Sequence, residues 1–101
     1  AHEPSNVKKW LAQKPATKGA VMINAGAQQV LTDDTTVNSL LPIGITAVEG
    51  DFAKGDLLRI LGPQEQLIGI GVAQYDAEIA RGLVGQHGQK PLVHYDYLML
   101  V

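Results

Sequence analysis

The 101-residue chain contains no cysteine, which excludes disulfide bonds and metal sites built on thiolates. Only 18% of its residues are charged and its net charge is −2, so electrostatics alone does not favour a nucleic-acid-binding protein. The sequence has no apolar run long enough to cross a bilayer and no segment patterned like a signal peptide. These absences predict a cytoplasmic, single-domain protein that makes no contact with a membrane.

The few charges are unevenly distributed. Residues 1–18 carry four lysines against the single Glu3, a local charge of +3, so the rest of the chain carries −5. Trp10 lies among those lysines. It is either a stacking platform beside phosphate-binding lysines or an apolar anchor that attaches the N-terminal segment to the domain. We favour the anchor, because aromatic side chains of this size are normally buried.

Short strands and tight turns dominate the rest of the chain, as eleven glycines and five prolines indicate. In the segment after Pro42, Ile43, Ile45 and Ala47 alternate with their neighbours, which predicts a strand with one buried face. Asn24 and Asp76 are positioned to cap two short helices. The predicted strands cover residues 19–23, 43–48, 57–61, 67–74 and 92–101, and the predicted helices cover 25–31 and 77–86.

This order of elements predicts a mainly β fold that closes, or nearly closes, into a small barrel with two short helices. Residues 1–7 are interpreted as a flexible lead-in and residues 8–101 as the folded domain. In the strand over 67–74, small residues occupy one face at Gly69 and Gly71. We interpret them as a place where another backbone approaches closely.

The most specific stretch runs from Ser39 to Asp56. It contains Ser-Leu-Leu-Pro over 39–42, and two Gly-Asp pairs that predict tight turns on either side of an inward-pointing Phe52. The stretch closely resembles the C-terminal PUA domain of bacterial glutamate 5-kinases. The likeness extends from about Lys8 to the end of the chain and includes Lys9-Trp-Leu11, Asn24-Ala-Gly-Ala27, Gly85 with His87, and Val93-His94. It departs from the family at Val37, at Tyr95 and in a shortened segment over 86–92.

The resemblance implies a small PUA-type pseudo-barrel that is an accessory part of an enzyme. In that family an N-terminal amino-acid-kinase domain transfers the γ-phosphoryl group of ATP to the side-chain carboxylate of L-glutamate with the help of Mg²⁺. This chain has no phosphate cradle or metal site for such chemistry, so we predict a non-catalytic domain with no cofactor of its own. Its expected partners are the kinase domain and, through the parent enzyme, further subunits. Its expected role is to support assembly or proline feedback regulation.

An RNA-binding module is the alternative function. In PUA domains that bind RNA, the first helix and the loop and strand after it form the RNA face. That likeness predicts a nucleic-acid interface made of loop residues and separate basic residues: Lys8, Lys9, Lys18, Asn38, Ser39, Pro42, Gly44, Lys54 and Arg59. The loop itself carries no positive charge, so we favour a structural interpretation in which it is a turn that closes the barrel.

Other chemistry-bearing residues give weaker signals. His87 and His94 match no standard metal-binding spacing, and Asp51 and Asp56 are better explained by turns than by Mg²⁺ binding. The run Gly69-Ile-Gly71 lacks the third glycine of a dinucleotide-binding turn and does not precede a helix. We therefore predict no catalytic residue and no metal site, and we disfavour a stand-alone enzyme.

Overall fold

The computed structural model describes residues 17–33 and 38–100. They form one sheet of five strands in the order β2-β1-β3-β4-β5, in which β1 and β3 are parallel and the other neighbours are antiparallel. The strands are β1 Gly19–Ile23, β2 Ile45–Gly50, β3 Leu57–Leu61, β4 Leu67–Val72 and β5 Leu98–Leu100. The helices are α1 Ala25–Leu31 and α2 Ala77–Leu83, and Pro42–Gly44 and Tyr95–Tyr97 form 3₁₀ turns.

Short segments outside the named strands extend the sheet around the core. Leu40 forms an isolated antiparallel bridge with Val93, and the Leu92 amide donates to the Leu40 carbonyl at 2.9 Å. The Gln74 amide, just beyond β4, donates to the Leu92 carbonyl at 2.8 Å. Residues 92–93 thus connect the end of β4 to the loop before β2. The predicted fold class, a mainly β pseudo-barrel with two short helices, is confirmed.

The main core fills one side of the sheet. Val21 and Ile23 from β1 and Leu58 and Ile60 from β3 are 0–1% exposed and point to that side. The helices cover it, since their buried residues belong to the same cluster: Leu31, Ala77 and Ala80. A second, smaller apolar cluster contains Leu57 and Ile70, which the strand register places on the opposite side.

Both helices begin where their capping residues predict. The Asn24 side chain accepts a hydrogen bond from the Ala27 amide at 2.8 Å, and α1 then covers the predicted range. Asp76 has the extended backbone of a cap, but its carboxylate accepts from the Lys54 amide at 2.9 Å instead of from its own helix. It therefore attaches α2 to the turn between β2 and β3. The helix predicted over 77–86 was three residues too long, because α2 ends at Leu83 and Val84 has a non-helical backbone.

The prediction of a strand from Ile43 with one buried face was wrong in two respects. Residues 42–44 form a 3₁₀ turn, and Ile43 is 36% exposed. Within β2, the register places Ile45 opposite Ile23 but Ala47 opposite Met22, so one extra residue, Thr46, forms a bulge. A bulge reverses the alternation, and Val48 rather than Ala47 packs against the main core.

The predicted closing strand over 92–101 was also wrong in its extent. Residues 92–93 take part in the bridge to Leu40, residues 95–97 turn, and only Leu98–Leu100 pair with β4. The interpretation of the strand glycines agrees with the structure. A Cβ atom on Gly69 would lie 2.6 Å from the Met99 carbonyl oxygen, and one on Gly71 would lie 3.2 Å from the Tyr97 carbonyl oxygen and 2.4 Å from a Val93 side-chain methyl carbon.

The two Gly-Asp turns form as predicted. Gly50 and Gly55 adopt φ angles of 87° and 94°, which residues with a side chain rarely adopt. Between them Phe52 is only 3% exposed and joins the main core. The predicted helical turn around Trp10, the lead-in over 1–7 and most of the polar connection after α1 lie outside the described residues.

Candidate functional site

An apolar groove of about 370 Å³ runs between α1 and the loop that precedes β2. The described residues that line it are all uncharged. Three of their apolar side chains are unusually exposed: Val30 at 49%, Leu41 at 45% and Ile43 at 36%. Single exposed apolar residues are common on protein surfaces, but several around one concave site are typical of a contact surface. We call this feature the α1 groove.

Close contact between the loop and α1 forms the floor of the groove. The Asn24 amide donates to the Gly44 carbonyl at 2.9 Å, which brings the 3₁₀ turn against the first turn of the helix. A Cβ atom on Gly44 would lie only 2.5 Å from the Ala27 Cβ, far closer than real side chains approach. Glycine is therefore required at position 44 by packing rather than by an unusual backbone angle.

The other predicted loop residues also have structural contacts. The Asn38 side-chain amide donates to the Val30 carbonyl at 3.2 Å, which ties the loop to the last turn of α1. The Ser39 hydroxyl accepts from the Tyr95 amide at 2.9 Å, and the buried Pro42 carbonyl accepts from the Gly85 amide at 2.9 Å. Of these predicted residues, Ser39 and Gly44 line the groove, and Asn38 and Pro42 lie in the same loop without lining it.

Among the described basic residues of the predicted interface, none of Lys18, Lys54 and Arg59 lines this groove. Lys18 precedes β1, and its amide donates to the Leu57 carbonyl at 2.9 Å. Lys54 lies in the turn after β2, where its amide binds Asp76. Arg59 is exposed on the side of the sheet opposite the main core. Lys8 and Lys9 lie outside the described residues, and a joint role of all these residues remains a prediction.

An aromatic cluster beside the loop was missed by the sequence analysis. The His94 ring lies 4.2 Å from the Tyr95 ring and 6.2 Å from the Tyr97 ring, centroid to centroid. His94 Nδ1 accepts a hydrogen bond from the Asp96 amide at 3.1 Å, which caps the 3₁₀ turn. Tyr95 and Tyr97 are 41% and 38% exposed. The Tyr-Asp-Tyr sequence is a usable signal for this cluster, but the apolar pattern over 92–101 predicts a continuous strand there.

In residues 17–33 and 38–100, no three His, Asp or Glu side chains come together where they could hold a metal ion. Burial raises the pKa of Tyr75, whose hydroxyl donates to the Lys90 carbonyl at 3.4 Å, and this residue does not line the groove. Neither helix in this part of the chain is long and apolar enough to cross a membrane.

Comparison with known proteins identifies the family. The model of the PUA domain family matches residues 19–95, which include the whole groove and nearly all of the sheet. The chain belongs to the PUA domain family. A solved PUA domain protein from Aeropyrum pernix K1 superposes on 76% of this chain with a TM-score of 0.64 and 28% sequence identity, and the match covers 42% of that protein.

Curated relatives confirm the resemblance to glutamate 5-kinases. The PUA domain is 50% identical over 95 residues to the glutamate 5-kinase of Chlorobaculum tepidum, a match that covers 93% of this chain and 26% of the kinase. It is 43% identical over 97 residues to the enzyme of Bacteroides thetaiotaomicron, covering 95% of this chain and 27% of that enzyme. The chain therefore spans about a quarter of the length of these relatives, and the catalytic domain is not part of it.

Proposed function

We propose that this PUA domain is a non-catalytic accessory module of a glutamate 5-kinase, and that it supports assembly or proline-sensitive regulation of the ATP-dependent enzyme. The observation that carries the proposal is the 50% identity, over 93% of this chain, to one quarter of a glutamate 5-kinase. ATP, Mg²⁺ and glutamate would bind to the kinase domain of the parent enzyme. We expect the parent enzyme to act in the cytoplasm.

The α1 groove supports a protein partner. Its lining is uncharged, and Val30, Leu41 and Ile43 expose apolar surface that a second protein surface would bury. A phosphate backbone would instead require cations, which dominate the affinity of nucleic-acid interfaces. We propose that the groove receives an apolar surface of the kinase domain or of another subunit of the same enzyme.

The test uses a full-length glutamate 5-kinase that carries this domain, with Leu41→Glu and Ile43→Glu introduced together. Both side chains are exposed, so the domain is expected to stay folded. The measurements are molar mass by light scattering, catalytic rate at saturating substrates, and inhibition by proline. We expect a smaller assembly, or weaker inhibition by proline, with catalysis largely retained.

The matched control is Ile79→Glu, which changes an apolar residue on α2 that is 51% exposed and lies outside the groove lining. It is expected to leave mass and inhibition unchanged. If the groove variant and the control both behave like the wild-type enzyme, the groove is not the contact surface. If the groove variant loses catalysis together with its fold, circular dichroism of the isolated domain will reveal that loss.

RNA binding is the second candidate function, and the fold supports it. One structural neighbour is a chain of the archaeal box H/ACA sRNP Nop10–Cbf5 complex, with a TM-score of 0.56 at 17% identity over 82% of this chain. The exposed Tyr95 and Tyr97 rings could stack on bases. Fluorescence anisotropy at low and near-physiological salt tests this function. Saturable binding that is still measurable at near-physiological salt, weakens as the salt concentration rises, and falls with Lys8, Lys9 and Lys18 changed to Ala would favour it over the accessory role.

A further inference from the structure

A ring nitrogen of His94 holds the 3₁₀ turn that leads into β5. The Nδ1 atom accepts a hydrogen bond from the Asp96 amide at 3.1 Å and so caps the turn over Tyr95–Tyr97. A ring nitrogen accepts a hydrogen bond only when it carries no proton, so this bond requires a neutral imidazole with its proton on Nε2. The cap of the turn therefore depends on the charge state of His94.

The Asp96 carboxylate is a different partner for the protonated ring. Its Oδ2 atom lies 3.8 Å from the same Nδ1 atom, about 1 Å beyond the usual length of a charge-assisted hydrogen bond. The side chains of His94 and Asp96 are 39% and 65% exposed, so both have room to rotate and close this gap. A protonated Nδ1 donates where the neutral atom accepts. Protonation thus removes the acceptor of the Asp96 amide and supplies a donor to the Asp96 carboxylate.

The other groups beside the His94 ring do not change charge over the same pH range. Among the residues that the structure describes, Asp96 is the one carboxylate within 4 Å of a nitrogen of this ring. The neighbouring rings belong to Tyr95 and Tyr97, with centroids 4.2 Å and 6.2 Å away. Tyrosine side chains stay neutral at the pH values where histidine titrates. A proton on His94 therefore acts first on its contacts with Asp96.

Two other elements contact the turn, and both do so through uncharged residues. The Ser39 hydroxyl, which lines the α1 groove, accepts from the Tyr95 amide at 2.9 Å. On β4, the Tyr97 carbonyl oxygen lies 3.2 Å from the place where a Cβ atom on Gly71 would be. The turn is therefore connected to the α1 groove through Ser39 and to the sheet through Gly71.

We propose that His94 is a pH-sensitive switch for this turn. In its neutral form the ring caps the turn, and the two tyrosine rings pack beside it. In its protonated form the ring releases the Asp96 amide and donates to the Asp96 carboxylate, which changes the packing of Tyr95 and Tyr97. Histidine is the side chain that ordinarily changes charge between about pH 5 and 8. The proposal concerns the turn itself and does not depend on the proposed function.

NMR spectroscopy of the 101-residue chain, labelled with ¹⁵N, tests the switch. At about pH 8 the ring nitrogen shifts of His94 should show the proton on Nε2. Between about pH 8 and about pH 5, the Asp96 amide signal should move as His94 takes up its proton. The hydrogen-exchange protection factor of that amide, which corrects for the intrinsic effect of pH, should fall several-fold. The ring signals of Tyr95 and Tyr97 should move with the same midpoint.

His94→Asn is the variant that separates the charge from the cap. An asparagine side chain also accepts a hydrogen bond from the amide two residues further on, and it does not titrate. The Asp96 amide should therefore stay protected over the whole pH range in this variant. The matched control is His87→Asn, which changes an exposed histidine in the loop after α2 and should leave the transition in place.

Three results would overturn the proposal. The first is a neutral His94 ring whose proton is on Nδ1, because such a ring cannot accept from the Asp96 amide. The second is an Asp96 amide whose signal and protection factor do not follow the titration of His94. The third is a pH response of that amide in His94→Asn as large as in the wild-type chain.

Discussion

The close approach of Gly44 to Ala27 leaves no room for a side chain at position 44. Gly44→Ala adds a single Cβ atom 2.5 Å from the Ala27 Cβ, about 1 Å short of an ordinary contact. Position 44 has no positive φ angle, so the backbone itself accepts alanine. Any destabilisation is therefore steric. Overpacking of this kind typically costs about 1–3 kcal/mol, because the 3₁₀ turn and α1 must move apart.

Thermal and urea denaturation of the isolated chain measure this cost. For a domain of this size, each kcal/mol of lost unfolding free energy lowers the melting temperature by roughly 4–8 °C. The control is Gly82→Ala within α2, where a Cβ meets nothing within 4 Å. The same chemical change should stabilise the protein there by about 0.5–1 kcal/mol, since alanine is the better helix former. Gly44→Ala should thus lower the unfolding free energy, whereas Gly82→Ala should raise it.

A double-mutant cycle shows whether contact between residues 44 and 27 causes the loss of stability in Gly44→Ala. Ala27→Gly removes the methyl group that Gly44→Ala would strike, at a cost of about 1 kcal/mol in helix propensity. In the double variant the clash is gone, so its stability should be close to that of Ala27→Gly alone, which gives a coupling energy of about 1–3 kcal/mol. Wild-type stability of Gly44→Ala, or additive losses in the double variant, would refute the packing argument.

Three further predictions concern the caps and the buried tyrosine. Asn24→Ala should lower the unfolding free energy by about 1 kcal/mol, because the Ala27 amide loses its hydrogen bond to the Asn24 side chain. Asn24→Asp, which keeps an acceptor, should retain most of that free energy. Equal unfolding free energies for the two variants would contradict this prediction. Asp76→Ala should lower the unfolding free energy by about 1–2 kcal/mol, because the Lys54 amide loses its acceptor. Asp76→Asn, which keeps an acceptor, should lower it less. Faster hydrogen exchange of the Lys54 amide in Asp76→Ala would show that the lost hydrogen bond is the cause. Burial raises the pKa of Tyr75 above its ordinary 10.0, so folding favours its neutral form, and the unfolding free energy should fall as the pH rises above about 10. Tyr75→Phe, which has no proton to lose, should show a weaker fall over that range, and identical pH profiles would contradict the burial argument.

Local sequence signals predicted much of the fold. β1, β3 and α1 were predicted with their observed bounds, because Asn24 stops a strand and starts a helix and Gly62-Pro63 ends a strand. The wrong predictions concern segments whose conformation is determined by tertiary contacts. Alternation over three residues cannot distinguish a 3₁₀ turn from a strand, and the bulge at Thr46 depends on the pairing of β2 with β1.

The candidate site was less predictable than the fold. The resemblance to PUA domains pointed to the loop over 38–44, and the structure places that loop beside α1. The groove itself depends on how closely Gly44 approaches Ala27, a distance that no local pattern encodes. The cluster of His94 with two tyrosines depends in the same way on a turn inside a segment predicted to be extended.

The central claim is that this PUA domain assists a kinase without taking part in its chemistry. The most direct measurement deletes residues 10–101 from a glutamate 5-kinase that carries the domain, and compares the two enzymes in catalytic rate, proline inhibition and molar mass. Our account predicts that glutamate-dependent ATP turnover persists while proline inhibition or assembly changes. Unchanged inhibition and assembly would contradict it, and so would turnover of glutamate and ATP by the purified 101-residue chain alone.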